Sequence, residues 1–197
     1  DGPSAQDGAG PGHAGGRSLR HPADPDAAWV HSGGHTWRIE RLGRAERVAA
    51  LTAGRTFRPY TNTDVVGVEI GGIVKNVIAL CVGICDGRGY GDNSKASVMT
   101  RGLAETTRLA LALGGDLTTL SGLSGMGDLV ATCSSSLSRN HTAGRLLGAG
   151  LTLAQVQDAM TQTAEGIKSA PAVLALARHH GVDSQRQCPV CEETLRL

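Results

Sequence analysis

Aromatic side chains are scarce. Two Trp, two Tyr and one Phe make up 3% of the 197 residues. The core must therefore be filled with Leu, Val, Ile and Ala. Charge of one sign is also lacking: 19 Lys and Arg stand against 18 Asp and Glu, a formal net charge of +1. That balance offers no basic field for nucleic acid and no polybasic face for a membrane, so neither is expected as a partner. No apolar run reaches about 18 residues without a charge, roughly what a bilayer crossing needs. The N-terminus lacks the basic-then-apolar order of a signal peptide. Cysteine is sparse and odd in number, at five. Cys81, Cys85 and Cys133 sit in apolar or Ser/Thr-rich surroundings, which argues against a disulfide framework and fits a reducing, cytoplasmic setting.

Glycine, by contrast, is plentiful at 28 residues, which suits helices divided by glycine turns and packed closely. Residues 1–36 are rich in Gly, Pro, Ala and Asp, show no period of 2 or 3.6, and read as disordered or irregular. AERVAALT, residues 45–52, reads as a helix with Val48, Ala49 and Leu51 as its apolar contribution, and TFRPY, residues 56–60, as a short strand or extended entry. From Asp64 the pattern strengthens. Asp64 can cap a helix running to about Cys85. DGRGYGDN breaks it, and Asp92 or Asn93 can cap a second helix that Gly114 and Gly115 stop. On that helix Leu103, Leu109 and Leu113 share the apolar side, while Arg101, Glu105 and Arg108 can share the other. Shorter helical pieces are expected at about 116–121, 125–133, 138–147, 153–161 and 166–180, with Thr152 capping one of them. No convincing strand follows residue 60. The middle and end thus read as all-α.

Some motifs fail on their context. GPGHAG, residues 10–15, matches the glycine string of a dinucleotide fingerprint, but no strand precedes it and no acidic residue ends a second strand about twenty residues on. CPVC, residues 188–191, is a single pair with no second pair to complete a zinc site. His141 has no partner cluster. No metal site is expected.

Two stretches are more informative. In GGIVKNVIALCVGI, residues 71–84, Lys75 interrupts an apolar run. It either lies on the wet side of a helix or snorkels from a buried one, or it is a functional lysine in a cleft, able to trade protons. In GMGDLVATCSSSLSRN, residues 125–140, Asp128 and Thr132 are four apart, hence on one helical face. Ser138 can cap the next helix, whose first N–H groups and the Arg139 fork would seat a phosphate or carboxylate. The plainer alternative is a polar loop joining two helices. Together the residues suit a small, anionic, oxygen-rich substrate, with Lys75 as proton-transfer group.

FRPYTNTDVVGVEIGGIVKNVIALCVGICDG, GDNSKASVMTRGLAE, GLSGMGDLVATCSSSLSRNHTAG and EGIKSAPAVLALARHHGV carry a resemblance. Over roughly residues 55–182 the chain resembles the C-terminal, substrate-binding domain of NAD(P)-dependent glycerol-3-phosphate dehydrogenases. The resemblance implies a multi-helix domain of the 6-phosphogluconate-dehydrogenase-like type. It implies reversible reduction of dihydroxyacetone phosphate to sn-glycerol 3-phosphate with NADH or NADPH, in the cytoplasm, as a homodimer. By position it makes Lys75 the catalytic proton donor and Asn76 its companion. Asp128, Thr132, Ser138, Arg139 and Asn140 would bind substrate, while Arg139 and Glu165 would also touch the cofactor. Gly71 and Gly72, one turn before Lys75, would leave room for substrate.

The ends depart from the family. Its members begin with a Rossmann domain, and residues 1–54 read as an irregular or altered remnant of that region. Residues 183–197 read as an atypical tail. The isolated chain is accordingly expected to be inactive. One alternative is a related 2-hydroxyacid or 6-phosphogluconate-type domain, in which an asparagine falls about a turn after the lysine; here it is adjacent, at Asn76, and position 79 is Ala. The other is a non-catalytic helical interaction domain.

Overall fold

A computed structural model describes residues 28–32, 35–39, 42–160, 162–183 and 190. Eight α-helices and a small sheet account for most of them. The strands are β1 (Ala28–Ser32), β2 (His35–Ile39) and β3 (Tyr60–Asn62), and helix α1 is Leu42–Thr52. The sheet is antiparallel in the order β2-β1-β3, with Ala28 opposite Ile39 and Trp29 opposite Asn62. The expectation of irregular chain throughout residues 1–36 therefore fails over 28–32 and 35–36. Two short segments flanking Gly33-Gly34, a hairpin signal, find a third strand in β3, after α1. Residues 1–27, with the GPGHAG string, lie outside the described residues. In α1 the buried residue is Ala45, while Val48 and Leu51 are exposed, so the apolar face differs from the one expected.

The remaining helices are α2 (Val65–Gly87), α3 (Asp92–Ala112), α4 (Leu117–Ser121), α5 (Asp128–Ser134), α6 (Arg139–Gly148), α7 (Leu153–Ala159) and α8 (Glu165–His179). A π-helical turn, Leu123–Gly127, leads into α5. Asp64 starts α2 as expected: its carboxylate accepts the Gly67 N–H and, with its other oxygen, the Asp116 N–H, each at 2.8 Å. One side chain thus anchors α2 and the turn before α4. Thr152 and Gln155 close a capping box on α7. Gly114, at φ +89°, ends α3. At the start of α3 the N-cap is Gly91, with no side-chain cap. Asp92 lies inside the first turn and pairs with Lys95 at 2.9 Å.

Helix α2 is the centre. One side packs Val74, Val77, Ile78 and Val82 against Leu109, Leu120, Leu129 and Leu174; another carries Leu80 against Ala143, Val156 and Ala164. By length and composition α2 could cross a membrane, but about half of it is buried among the other helices. Its contact with α6 is the most extensive among the described elements. A Cβ added at Gly83 would lie 2.1 Å from the His141 carbonyl oxygen, and one at Gly144 would lie 2.0 Å from that of Leu80.

Glu105 is not on the outer face of α3. It is 1% exposed. Its carboxylate accepts the backbone N–H of Val190 at 3.0 and 3.2 Å, and Arg101 Nε lies 3.9 Å away. The Val190 N–H helps to make burial of the carboxylate tolerable. Of CPVC only Val190 is described.

Candidate functional site

Lys75 lies near the middle of α2, between buried Val74 and Val77, with Gly72 half-buried and Ile73 exposed on the turn before it. Its side chain is 18% exposed and its ammonium pairs with Asp128 Oδ2, whose side chain is 6% exposed. The π-helical turn brings this carboxylate into place. Gly71 packs against it, since a Cβ there would meet the Ser124 carbonyl oxygen at 3.0 Å, whereas one at Gly72 would meet nothing within 4 Å. Of the two glycines expected to leave room for substrate, only Gly72 adjoins open space; Gly71 is a packing residue. The lysine therefore does not simply snorkel. It is held by a carboxylate 53 positions away in the chain.

Asn76 continues the site. Its Nδ2 donates to Gly72 O at 3.2 Å, and its Oδ1 accepts from Asn140 Nδ2 at 3.0 Å. Asn140 is 7% exposed, and its Oδ1 accepts the Gly166 N–H at 2.7 Å. Since an amide has two N–H donors, each asparagine keeps one beyond these bonds. Ser138 caps α6 as expected, accepting the His141 N–H at 3.3 Å. The N–H groups of Arg139 and Asn140 precede the first intrahelical bond of α6, from Thr142 N to Ser138 O. Arg139 is 49% exposed, donates to Gln162 Oε1 at 2.8 Å and lies 4.0 Å from Glu165 Oε1. Such a loose exposed pair is weak and leaves the guanidinium able to turn to an anion.

Every expected site residue thus has a definite place. Lys75 meets Asp128, Asn76 meets Asn140, and Arg139 meets Glu165. Thr132 lies half-buried, one turn beyond Asp128 on α5. The Ser138 hydroxyl is engaged in its cap. Close by, burial pushes the Cys133 thiol up to about 12, with Cys81 adding and Lys75 opposing, so it is an inert thiol. His141 is half-buried on α6. Among the described residues no three His, Cys, Asp or Glu side chains gather as a metal site. The sequence reading missed three features: the Lys75–Asp128 pairing, Gln162 as a partner of Arg139, and Gly166. None has a local signal, since each depends on segments far apart in the chain.

A lysine on the central helix paired with an aspartate on α5, beside two bonded asparagines and an arginine-bearing helix start, defines a helical domain with a polar, charge-paired centre. Residues 64–197 match the family described as NAD-dependent glycerol-3-phosphate dehydrogenase C-terminus, and the chain belongs to that family. The match takes in residues 183–197.

The glycerol-3-phosphate dehydrogenase [NAD(P)+] of Streptomyces coelicolor is 65% identical over 139 residues, covering 71% of this chain and 41% of that protein. That of Lysinibacillus sphaericus is 48% identical over 174 residues, covering 88% and 48%. The crystal structure of glycerol-3-phosphate dehydrogenase from Coxiella burnetii superposes with a TM-score of 0.73 at 39% identity, covering 78% of this chain and 46% of its own. The chain thus spans under half the length of these relatives.

Proposed function

We propose that residues 55–182 form the substrate half of an NAD(P)-dependent glycerol-3-phosphate dehydrogenase, of the 6-phosphogluconate-dehydrogenase-like helical type, acting on dihydroxyacetone phosphate and sn-glycerol 3-phosphate. The observation that carries this is Lys75, held by Asp128 one residue before Asn76, whose partner Asn140 lies beside Arg139 at the start of α6. Phosphate would sit against the free N–H groups of α6 and the guanidinium of Arg139, with Asn76 and Asn140 each offering an N–H to the substrate. Thr132 completes the polar wall, and Ser138 holds the helix start in shape.

NADH or NADPH, when bound, supplies hydride to the carbonyl carbon. Lys75 donates a proton to the carbonyl oxygen as it becomes a hydroxyl, and takes it back in reverse. Its positive charge stabilises the oxygen as negative charge develops. Asp128 keeps the ammonium in position and in turn screens it. Arg139 and Glu165, both exposed, fit the polar edge of a cofactor. Among the described residues no parallel sheet or glycine turn cradles a pyrophosphate. The cytoplasmic setting and a second copy of the chain as partner follow from the family reading alone.

Two variants test the roles when this domain is joined to a nucleotide-binding domain. Lys75→Met should lower kcat by about 10²- to 10⁴-fold, the usual worth of general acid catalysis. Arg139→Ala should act mainly on KM and narrow the preference for dihydroxyacetone phosphate over dihydroxyacetone. A Lys75→Met enzyme that keeps most of its kcat would remove the lysine as proton donor. A domain that binds neither glycerol 3-phosphate nor cofactor would favour a non-catalytic helical module.

A further inference from the structure

The start of α8 has no cap of its own. Its N-cap residue is Ala164, which makes no side-chain bond. The missing acceptor comes from another helix: Asn140 Oδ1, on α6, takes the Gly166 N–H at 2.7 Å. This fixes which way round the Asn140 amide sits, because only its oxygen can accept. Its nitrogen must then face Asn76, and it does, at 3.0 Å from Oδ1. That in turn sends the Asn76 nitrogen to Gly72 O, at 3.2 Å. A single backbone N–H thus orients two amides in series, ending one turn before Lys75 on the same helix.

The series requires close contact at Gly166. A Cβ there would lie 2.5 Å from the Asn76 carbonyl oxygen and 3.0 Å from Asn140 Oδ1. The first neighbour is backbone of the central helix and cannot swing aside. We infer that Gly166 is a positioning residue: its bare α-carbon lets α8 abut α2, and its N–H sets the orientation of Asn140 and Asn76 so that each keeps one N–H for the substrate. The inference rests on the reading of this site as the glycerol 3-phosphate site. A larger residue would separate α8 from α2, break the bond to Asn140 and free both amides to turn.

The 197-residue chain tests this with Gly166→Ala, Asn140→Ala and the double variant, each first checked for a cooperative thermal transition. Side-chain amide NMR signals of Asn76 and calorimetric titration with glycerol 3-phosphate are the two readouts. Gly166→Ala should shift the Asn76 signals and weaken glycerol 3-phosphate binding by about tenfold, the scale of one to two lost polar contacts. In the double variant the loss should be clearly less than the sum of the two single losses, because the N–H acts through that amide even though the clash with the Asn76 carbonyl remains; full additivity is what a purely structural effect gives. Unmoved Asn76 signals, or additive losses, would overturn the inference. Should Gly166→Ala not fold, the wild-type chain decides: a scalar coupling across the bond from Gly166 N–H to the Asn140 side chain supports it, and its absence refutes it. Failure of wild-type chain to bind glycerol 3-phosphate would count against the substrate reading, while the amide signals would still report on the series.

Discussion

Asp128 and Glu105 show how differently two buried carboxylates can be used. Asp128 faces an ammonium, and replacing it by Asn keeps the volume while removing the counter-charge from Lys75. Because Lys75 retains some exposure, the expected cost is about 1–3 kcal/mol, less than a fully buried pair. Asp128→Asn combined with Lys75→Met should recover part of that loss, since the orphaned charge is gone. Thermal unfolding of the four proteins measures it, and strict additivity would show that the pair is not coupled. Glu105 instead accepts a backbone N–H from the C-terminal segment. Glu105→Ala removes that acceptor and should cost about 1–3 kcal/mol. Hydrogen exchange at the Val190 amide should speed up; an unchanged rate would mean the segment is held without the carboxylate.

Among the elements, the α2–α6 pair depends on glycine on both helices. Gly83 and Gly87 of α2, and Gly144 and Gly148 of α6, all face backbone atoms of the partner helix closer than a Cβ permits. Gly83→Ala or Gly144→Ala should destabilise by about 1–3 kcal/mol through forced separation. Gly72→Ala should do the opposite. Nothing lies within 4 Å of its added Cβ, and Ala in a helix interior gains about 0.5–1 kcal/mol over Gly. That methyl would also enter the open space beside Lys75, so a higher melting temperature should come with weaker glycerol 3-phosphate binding. A Gly72→Ala protein that binds as tightly as wild type would show that substrate does not use that space.

Across the whole molecule, stability should depend on pH through His141. Burial holds its imidazole below the ordinary value of 6.5, with Asp86 opposing and Lys95 and Arg145 adding to the effect. The unfolded chain therefore takes up a proton first as pH falls. The stability tied to neutral His141 is complete above the ordinary value and is lost as pH falls through the folded one. Melting temperatures between about pH 7.5 and 5 should fall less steeply for His141→Gln than for wild type. Parallel curves would exclude the histidine as the cause. Exchange protection should be greatest along Val74–Val82, since α2 contacts α3, α4, α5, α6 and α8.

Local chemistry made much of this domain legible from its residues. Asp64, Ser138 and Thr152 are caps because a short oxygen-bearing side chain before an apolar period satisfies the first N–H groups of a helix wherever the rest of the chain goes. The helices followed from a 3.6 period, and the candidate site residues from long blocks in family order. What the pattern could not carry was anything joining distant segments. Strands β1 and β2 are short and weakly patterned, and they are stabilised by β3, which follows a helix. Glu105 reads as a surface charge until the Val190 N–H donates to it. Lys75 has no partner in its own helix, and only the packing of α5 on α2 selects Asp128. Gly166 is one glycine among 28 until α8 docks on α2. Caps and periods are decided within a turn or two of chain, where side chain and backbone meet whatever the fold. Pairings across the core depend on where whole helices come to rest, and that is set by the sum of their contacts.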